Sequence, residues 1–586
     1  MAEVDATEKR DDFSNDVEKV DLGKVDDSSG VGGFATEEDA LPEGYFSSSF
    51  FVGSMFAIGM GLLAAVSGFG YAAPILGIID ADIGPDPNAV WISLSYTLTV
   101  AVALAIVGRT SDIFGRRWIF IGGAALGLIG SIVCATATSV PALIGGTTLI
   151  GLASSTQLSY YYVMGELVPM KYRFLGNGIM YIFTLPGSGF APAIGNAFIL
   201  YTGVGWRGLY YVLIAINGTA LACWYLFYHP PNFEMKHRGQ SKLKFAKKFD
   251  WIGLILYTGG LLIFLMGLSW GGTVHPWDSA DVIATLVIGF MAIVAFICWE
   301  TFANLEEPLM PLHLFKNIEW VAAVVVSGLG ASIYYAFSIV WPQMVIVLYQ
   351  GDDQMYGGWL STLVGVGIIF GEIVSGFLAK PIGKIKWQCF ATILIAGSLF
   401  AAVASCTPDT KVRACVLVTI GVFSIGWTEG VSLAMTTISL KNQQELGTGG
   451  GLAGSIRFVI SSVASTVYTV VLNTRLAKTV PAAVTPAVTA AGLPDASVPS
   501  LLQALSVGTE AAYEAVKGLT PDILAVATDA NKHGSAEAYK TVFLTTIAFT
   551  GIALIASLFL PNAENLMTGK VATTLHKRNN EDVVGT

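Results

Sequence analysis

Five charged residues interrupt the long apolar stretches of this 586-residue chain: Glu166, Glu300, Glu372, Glu429 and Arg457. At the centre of a bilayer such a charge costs about 2.5–3.5 kcal/mol on insertion scales, so each is a functional hypothesis by default. Glu372 sits mid-run in IIFGEIVSG, and Glu429 sits late in its run in GWTEGVS. Glu166 and Glu300 lie nearer run ends, and Arg457 enters a short way into a later run. A buried carboxyl that is alternately charged and protonated can couple a proton to a change of shape. On this reading Glu372 and Glu429 are the first candidates, with Arg457 and Glu166 behind them. The competing reading is structural, each acid pairing with Arg457, a Trp N–H or a backbone group. The six histidines show no ligand spacing, so no metal is expected. The chain contains no G-x4-G-K-[ST] string, and neither a nucleotide-driven pump nor an enzyme is indicated. No cofactor is expected.

The elements that hold these charges are membrane helices. Only 13% of residues are charged against 53% hydrophobic, with 65 glycines and a mean hydropathy of +0.63. Soluble domains carry about 25% charged residues. A span needs about 20 apolar residues, and the chain offers about fourteen such runs, from 50–70 to 541–560. The fourth and fifth fall at 141–163 and 175–200. Short loops on one side carry Arg109, Arg116, Arg117, Lys171, Arg173, Lys236, Arg238, Lys242, Lys244, Lys247, Lys248, Lys380, Lys384 and Lys386, and the C-terminal tail adds Lys570, Lys577 and Arg578. The bias puts both termini in the cytoplasm. Residues 1–45 hold 14 acidic and 4 basic residues, which leaves 28 of each in the remainder. That tail reads as disordered, cytoplasmic and without a signal peptide. Residues 46–230 read as one six-helix half. Residues 231–310 read as a basic loop with two extra helices. Residues 311–565 read as a second half with a long outside segment at 474–540, and 566–586 as a cytoplasmic tail. Within 474–540, the run 499–517 has helical spacing and is too polar to span. The six cysteines read as small buried hydrophobes, with Cys406 and Cys415 the only pair placed to bridge.

Between the second and third runs stands Gly108-Arg-Thr-Ser-Asp112-Ile-Phe-Gly115-Arg116-Arg117. Glycines let two helix ends approach and turn, and an acid near a helix end can meet a neighbouring dipole or an arginine. The string resembles the G-x-x-x-D-x-x-G-R-[RK] loop of the major facilitator superfamily. A degenerate copy follows in GFLAKPIGKIK, with Gly376, Lys380, Gly383 and Lys384 at the matching offsets. Two related halves would leave such an echo. The second copy has lysine where the first has its acid.

The fifth run orders Gly178, Gly187, Ala191-Pro192 and Gly195 as the antiporter motif of major facilitator exporters does, with Ala191 in place of a glycine. Glycines would give close helix contact and Pro192 would kink the span. With GELVPMKYRFLGNG and Gly449-Gly-Gly-Leu-Ala-Gly-Ser-Ile-Arg457, the chain resembles the fungal trichothecene efflux pumps, within the fourteen-span drug:proton antiporters, over about 45–565. The resemblance implies an all-α polytopic fold in two pseudo-repeated halves and proton-coupled export of small apolar toxins or drug-like metabolites by alternating access. It departs from the wider pattern at Thr147, where many drug antiporters carry arginine. An uptake carrier, for example of iron-siderophore complexes, is the alternative.

A cavity for an apolar substrate would be lined by Tyr161, Phe183, Tyr335 and Trp427, with Gln157 and Asn177 as polar anchors. The expected partners are protons, a small-molecule substrate and the lipid bilayer, with no nucleic acid, for a monomer. The expected location is the plasma membrane, with a vacuolar or vesicle membrane the other candidate.

Overall fold

The computed structural model describes residues 36–37 and 41–572, except 42, 87, 231–240, 273, 304 and 508–509. Most of the acidic leader, Lys236, Arg238, Lys577 and Arg578 lie outside the described residues.

The chain is built from helices. The first group is α1 (Ser49–Gly70), α2 (Leu76–Ile83), α3 (Trp91–Phe114), α4 (Arg116–Ala135), α5 (Val140–Gln157), α6 (Tyr160–Leu167), α7 (Arg173–Ile182), α8 (Ala191–Tyr201) and α9 (Arg207–Phe227). A short α10 (Lys242–Lys248) leads into the hairpin α11 (Trp251–Trp270) and α12 (Ala280–Phe302). The second group is α13 (Ile318–Leu348), α14 (Gln354–Ile382), α15 (Ile385–Val403), α16 (Lys411–Ile438), α17 (Leu446–Ala490), α18 (Val498–Val507), α19 (Glu510–Glu514) and α20 (Pro521–Ser557). Short 3-10 turns, one wide turn and a two-residue strand pair, β1 (Thr36–Glu37) with β2 (Lys570–Val571), are the remaining regular structure among the described residues.

Twelve helical stretches among the described residues are long and apolar enough to cross a membrane. The fourth and fifth apolar runs complete the series as broken helices, α5–α6 and α7–α8. The break in the fifth run falls earlier than the expected kink at Pro192. It is a wide turn at Leu185–Gly189, and Pro192 lies in the first turn of α8. There the missing proline N–H would have no helical partner anyway, so the ring costs nothing.

The apolar clusters run across from one half to the other, Tyr335 and Phe458 joining the first half's cluster and Met170 and Phe174 joining one of the second half's, and the halves meet along two seams. On one, α3 packs against α17; on the other, α7, the wide turn and α8 pack against α14. The α11–α12 hairpin lies beside the first seam, with α11 touching both α3 and α17. Its Tyr257 hydroxyl bonds Ser455 on α17, which donates to the Ala101 carbonyl on α3. The hairpin is entered through a cap in which Asp250 accepts from the Gly253 N–H at 2.8 Å.

The 474–540 segment is not a loop over a finished span. α17 runs 45 residues and α20 runs 37. At about 1.5 Å per residue, α17 is about 68 Å long, twice a bilayer core. The extensions pack with α18 around Val484, Val488, Leu501, Ile523 and Ala527. The run at 499–517, which reads as one or two surface helices, forms two short helices, α18 and α19. Cys406 and Cys415 are both free thiols.

Candidate functional site

The first motif forms a charged latch between the halves. Gly108 brings α3 onto α17: a Cβ there would lie 2.7 Å from the Gly451 Cα. Gly115, at φ +92°, makes the turn from α3 to α4. Asp112 Oδ2 accepts from the Thr448 N–H at 2.6 Å and from its hydroxyl at 2.8 Å, at the N-terminus of α17. An acid at that end meets free N–H groups and the positive pole of the helix. Asp112 Oδ1 takes Arg116 at 2.7 Å, and the other face of that guanidinium pairs with Glu166 on α6. Arg116 also lies 5.2 Å over the Tyr162 ring. Arg117 reaches the Tyr225 carbonyl at 3.2 Å. The Tyr161 hydroxyl donates to the Gly450 carbonyl at 2.5 Å, tying α6 to α17. Glu166 and Tyr161 therefore belong to this latch. The structure separates Glu166 from the central acids and puts Tyr161 in a seam contact.

The central charges come from α14, α16 and α17. Glu429 and Arg457 form a buried ion pair. Gly330 on α13 makes room for it, since a Cβ there would stand 3.3 Å from that of Glu429. Glu372 is 5% exposed and has Glu429, Arg457 and the Tyr181 phenol as its electrostatic neighbours. The Tyr160 hydroxyl donates to that of Tyr181 at 2.6 Å. Tyr335 stands between Phe69 of one half and Phe458 of the other, with ring centroids 5.1 and 5.2 Å away. Asn177 is buried on α7, and its side-chain oxygen has no hydrogen-bond partner.

Three cavity candidates lie elsewhere. Gln157 donates to Asn217 at 2.9 Å within the first half. Trp427 donates to Gln388 at 3.1 Å within the second. Phe183 is half-buried against exposed Phe56, its ring under Gly59, on the outer side of α1. Spans that are apolar all round conceal which face turns inward. Glu300 accepts from the Met310 N–H at 2.9 Å, near the end of the extra hairpin.

The antiporter motif divides its work. Gly178 faces Gly376 across the second seam, where a Cβ on Gly376 would come 2.5 Å from the Gly178 Cα. Gly187 instead packs on Leu63 and Ser67 of α1. Ala191 packs beside Gly70, and Gly195 near Ile75. The Pro192 carbonyl accepts from Asn196, whose oxygen takes Gln354 of the other half at 2.9 Å.

Sequence reasoning missed several groups. Arg173 crosses the second seam to the Thr437 carbonyl and Gln443, and Lys380 reaches the Lys171 carbonyl at 2.9 Å. Both looked like markers of the cytoplasmic side. Arg109 pairs with Glu307 at 2.5 Å, linking the first motif to the extra hairpin.

Two helical halves with glycine-lined seams, latched by charge at one end and carrying an ionic cluster between them, define a multi-pass membrane transporter of the major facilitator type. Residues 15–585 match the family described as fungal trichothecene efflux pump (TRI12). The chain belongs to that family. It is 28% identical over 569 residues to the trichothecene efflux pump TRI12 of Fusarium sporotrichioides, covering 96% of this chain and 95% of that one. It is 30% identical over 451 residues to the MFS-type transporter prx5 of Penicillium rubens, covering 75% and 80%. The fold is shared with a peptide transporter, POT, solved with sulfate (TM-score 0.53, 16% identity, 88% of this chain and 96% of that one). It is shared too with the proton:xylose symporter XylE (TM-score 0.50, 15% identity, 88% and 98%). The uptake alternative gains no support from the sequence relatives.

Proposed function

We propose that this pump exports a small apolar toxin or secondary metabolite, trichothecene-like or drug-like, in exchange for protons. The observation that carries the coupling is the arrangement of Glu372, Glu429 and Arg457 between the halves. Glu429 is committed to Arg457, whereas Glu372 has the Tyr181 phenol and the pair's field beside it, and so Glu372 is the proton carrier. A protonated Glu372 loses the charge that makes burial expensive, and the halves close over it. Facing water on the far side, it releases the proton and the cycle resets. The apolar substrate competes for the space around Tyr335 and Asn177 in the open states. The names of the relatives support the substrate class. The basic ends of α3, α6 and α14 support a cytoplasmic location for the latch, with both termini on that side. Export of this kind fits the plasma membrane, and nothing in the seams requires a second copy.

The test is accumulation of a labelled trichothecene in toxin-sensitive yeast lacking its own pumps, with and without a protonophore. The expected result is lower accumulation in cells expressing the protein, abolished by the protonophore. Lower accumulation that survives the protonophore would overturn proton coupling. Unchanged accumulation would overturn the substrate class.

A further inference from the structure

We infer that Glu300 and Asp250 form a proton-binding site at the end of the extra hairpin that meets the first motif, and that the proton shared there fastens the segment leading into the second half. The site lies on other helices from Glu372 and does not depend on the coupling proposed for that residue.

The charges at this end do not balance. Asp250 caps α11: its Oδ1 accepts from the Gly253 N–H at 2.8 Å and from the Trp299 indole at 2.9 Å. A carboxylate at a helix N-terminus meets donors and the positive pole, so its charge is accounted for. Glu307 has Arg109, near the end of α3, at 2.5 Å. Further out, exposed Lys248 of α10 pairs with exposed Glu306, and Lys247 faces solvent. Glu300, in the last turn of α12, is left over. Its Oε1 accepts from the Met310 N–H at 2.9 Å, and it makes no ion pair among the described residues. Its charged neighbours are Asp250, which repels it, and Arg109, which is already engaged.

Both acids are buried, Glu300 at 8% and Asp250 at 5% exposure. Each also keeps one oxygen, Oε2 of Glu300 and Oδ2 of Asp250, buried without a hydrogen-bond partner. A buried carboxylate with neither counter-charge nor donors is costly, and binding a proton relieves the cost. One hydrogen on Glu300 Oε2 makes that oxygen a donor, and Asp250 Oδ2 is the unfilled acceptor among its neighbours. A single proton thus satisfies two orphaned atoms, as in carboxyl pairs that hold one proton between them. No third acidic, histidine or cysteine ligand stands with them among the described residues, so the ligand that fits is a proton and not a metal ion.

The segment 305–310 makes the site consequential. It connects the hairpin to the second half, and it is held from three sides. Glu300 takes the Met310 N–H, Arg109 of the first half takes Glu307, and the Glu307 backbone bridges to Phe249 at the entry to the hairpin. Leu309, 3% exposed, packs into the first half's apolar cluster. With the proton in place the three holds coexist. Once it is lost, the ionised Glu300 gains by reaching water, and the segment loosens from the hairpin.

The experiment is hydrogen exchange, read by mass spectrometry on peptides covering Met310, with the full chain in lipid nanodiscs. Rates are divided by the intrinsic rate at each pH. In wild type, protection of this segment should fall about tenfold between about pH 5.5 and about pH 8.5, with peptides from α18 as a flat control. Glu300→Gln is neutral throughout and its amide oxygen keeps the Met310 bond, so its protection should stay high at every pH. Asp250→Asn removes the repelling charge and should move the fall to lower pH; this variant carries the test where Glu300→Gln yields no folded protein. A flat wild-type profile, a fall that Glu300→Gln leaves in place, or a midpoint that Asp250→Asn leaves unmoved would overturn the shared proton. Protection that follows added Na+ or Mg2+ at fixed pH would overturn it in favour of a metal ion.

Discussion

Along α3 and α17 the halves are joined by an ionic network; along α14 and α7–α8 they are joined chiefly by absent side chains. The first seam has Asp112 on the α17 N-terminus, Arg116 between two acids, and Tyr161 on the Gly450 carbonyl. The second has Gly178 against Gly376 and Gly365 against Ser188 and Gly189, with neutral bonds from Gln354 to Asn196 and from Ser188 to Tyr334, and charged side chains, Arg173 and Lys380, bonding uncharged acceptors at one end only. A charged latch is directional and holds one end. A glycine contact allows two helices to slide without giving up a bond. The difference suggests that one seam sets which end opens while the other serves as the bearing surface.

The central acids follow the same division. Glu429 pairs with Arg457 of the helix that forms the first seam, and Glu372 belongs to the helix that forms the second. Glu372→Gln, which keeps shape and removes the titrating group, is therefore expected to have the largest effect. Proton-driven export should fall at least about a hundredfold, the scale of losing a positioned proton-transfer group, with yield and melting unchanged. Reconstituted vesicles with an imposed pH gradient and a proton-sensitive dye would measure it. Retained coupling would move the proton to the Glu429–Arg457 pair.

The bearing can be broken by adding one methyl group. Gly376→Ala places a Cβ 2.5 Å from the Gly178 Cα, and backbone cannot move aside as a flexible side chain does. Overpacking of this kind costs about 1–3 kcal/mol, read as lower thermal stability in detergent. Gly122→Ala is the control. Nothing lies within 4 Å of its added Cβ, so it should be neutral or gain up to about 1 kcal/mol from helix propensity. Equal effects at both sites would show that the contact is not tight.

How much of this could be read in the chain depended on whether the signal was local. The first motif was legible because Gly108, Asp112, Gly115 and Arg116 lie within nine consecutive residues, at the end of one helix and the turn after it, and their spacing is the geometry. Glu372, Glu429 and Arg457 were legible as charges in apolar runs, since charge is costly there whatever the fold. The pairing of Glu429 with Arg457 was not, because either acid could have taken that partner. Arg173 was hidden for a different reason. A basic residue after a span already has a sufficient explanation in topology, and its acceptors lie 264 and 270 residues away. The break at Leu185–Gly189 was credited to Pro192, because a proline in an apolar run signals a kink and helix starts inside a span leave little trace. The aromatic candidates scattered because Trp427, Phe183 and Tyr161 occupy spans whose hydrophobicity does not reveal the inward face.

Within the first seam, Asp112→Asn keeps the acceptor geometry on Thr448 but loses the charge that meets both Arg116 and the helix pole. A loss of about 1–2 kcal/mol from the closed state is expected, or roughly a tenfold shift in the balance of conformations. Transport should slow with little change in surface expression. Normal transport by this variant would leave the motif as a topology marker and transfer the directional role to the second seam.

The smallest effect should come from Arg109→Gln. Its bond to Glu307 at 2.5 Å joins the same motif to the extra hairpin, but the two side chains are 13% and 24% exposed. Water and salt screen such a pair, and its removal should cost less than about 1 kcal/mol. The effect should shrink further in high salt, while that of Asp112→Asn, with its guanidinium partner only 2% exposed, should persist. The contrast separates two roles for one loop. If Arg109→Gln slows transport as much as Asp112→Asn does, the hairpin is part of the latch and the Tyr257–Ser455–Ala101 chain carries force between the halves. If it does not, the hairpin lies against a seam that opens without it.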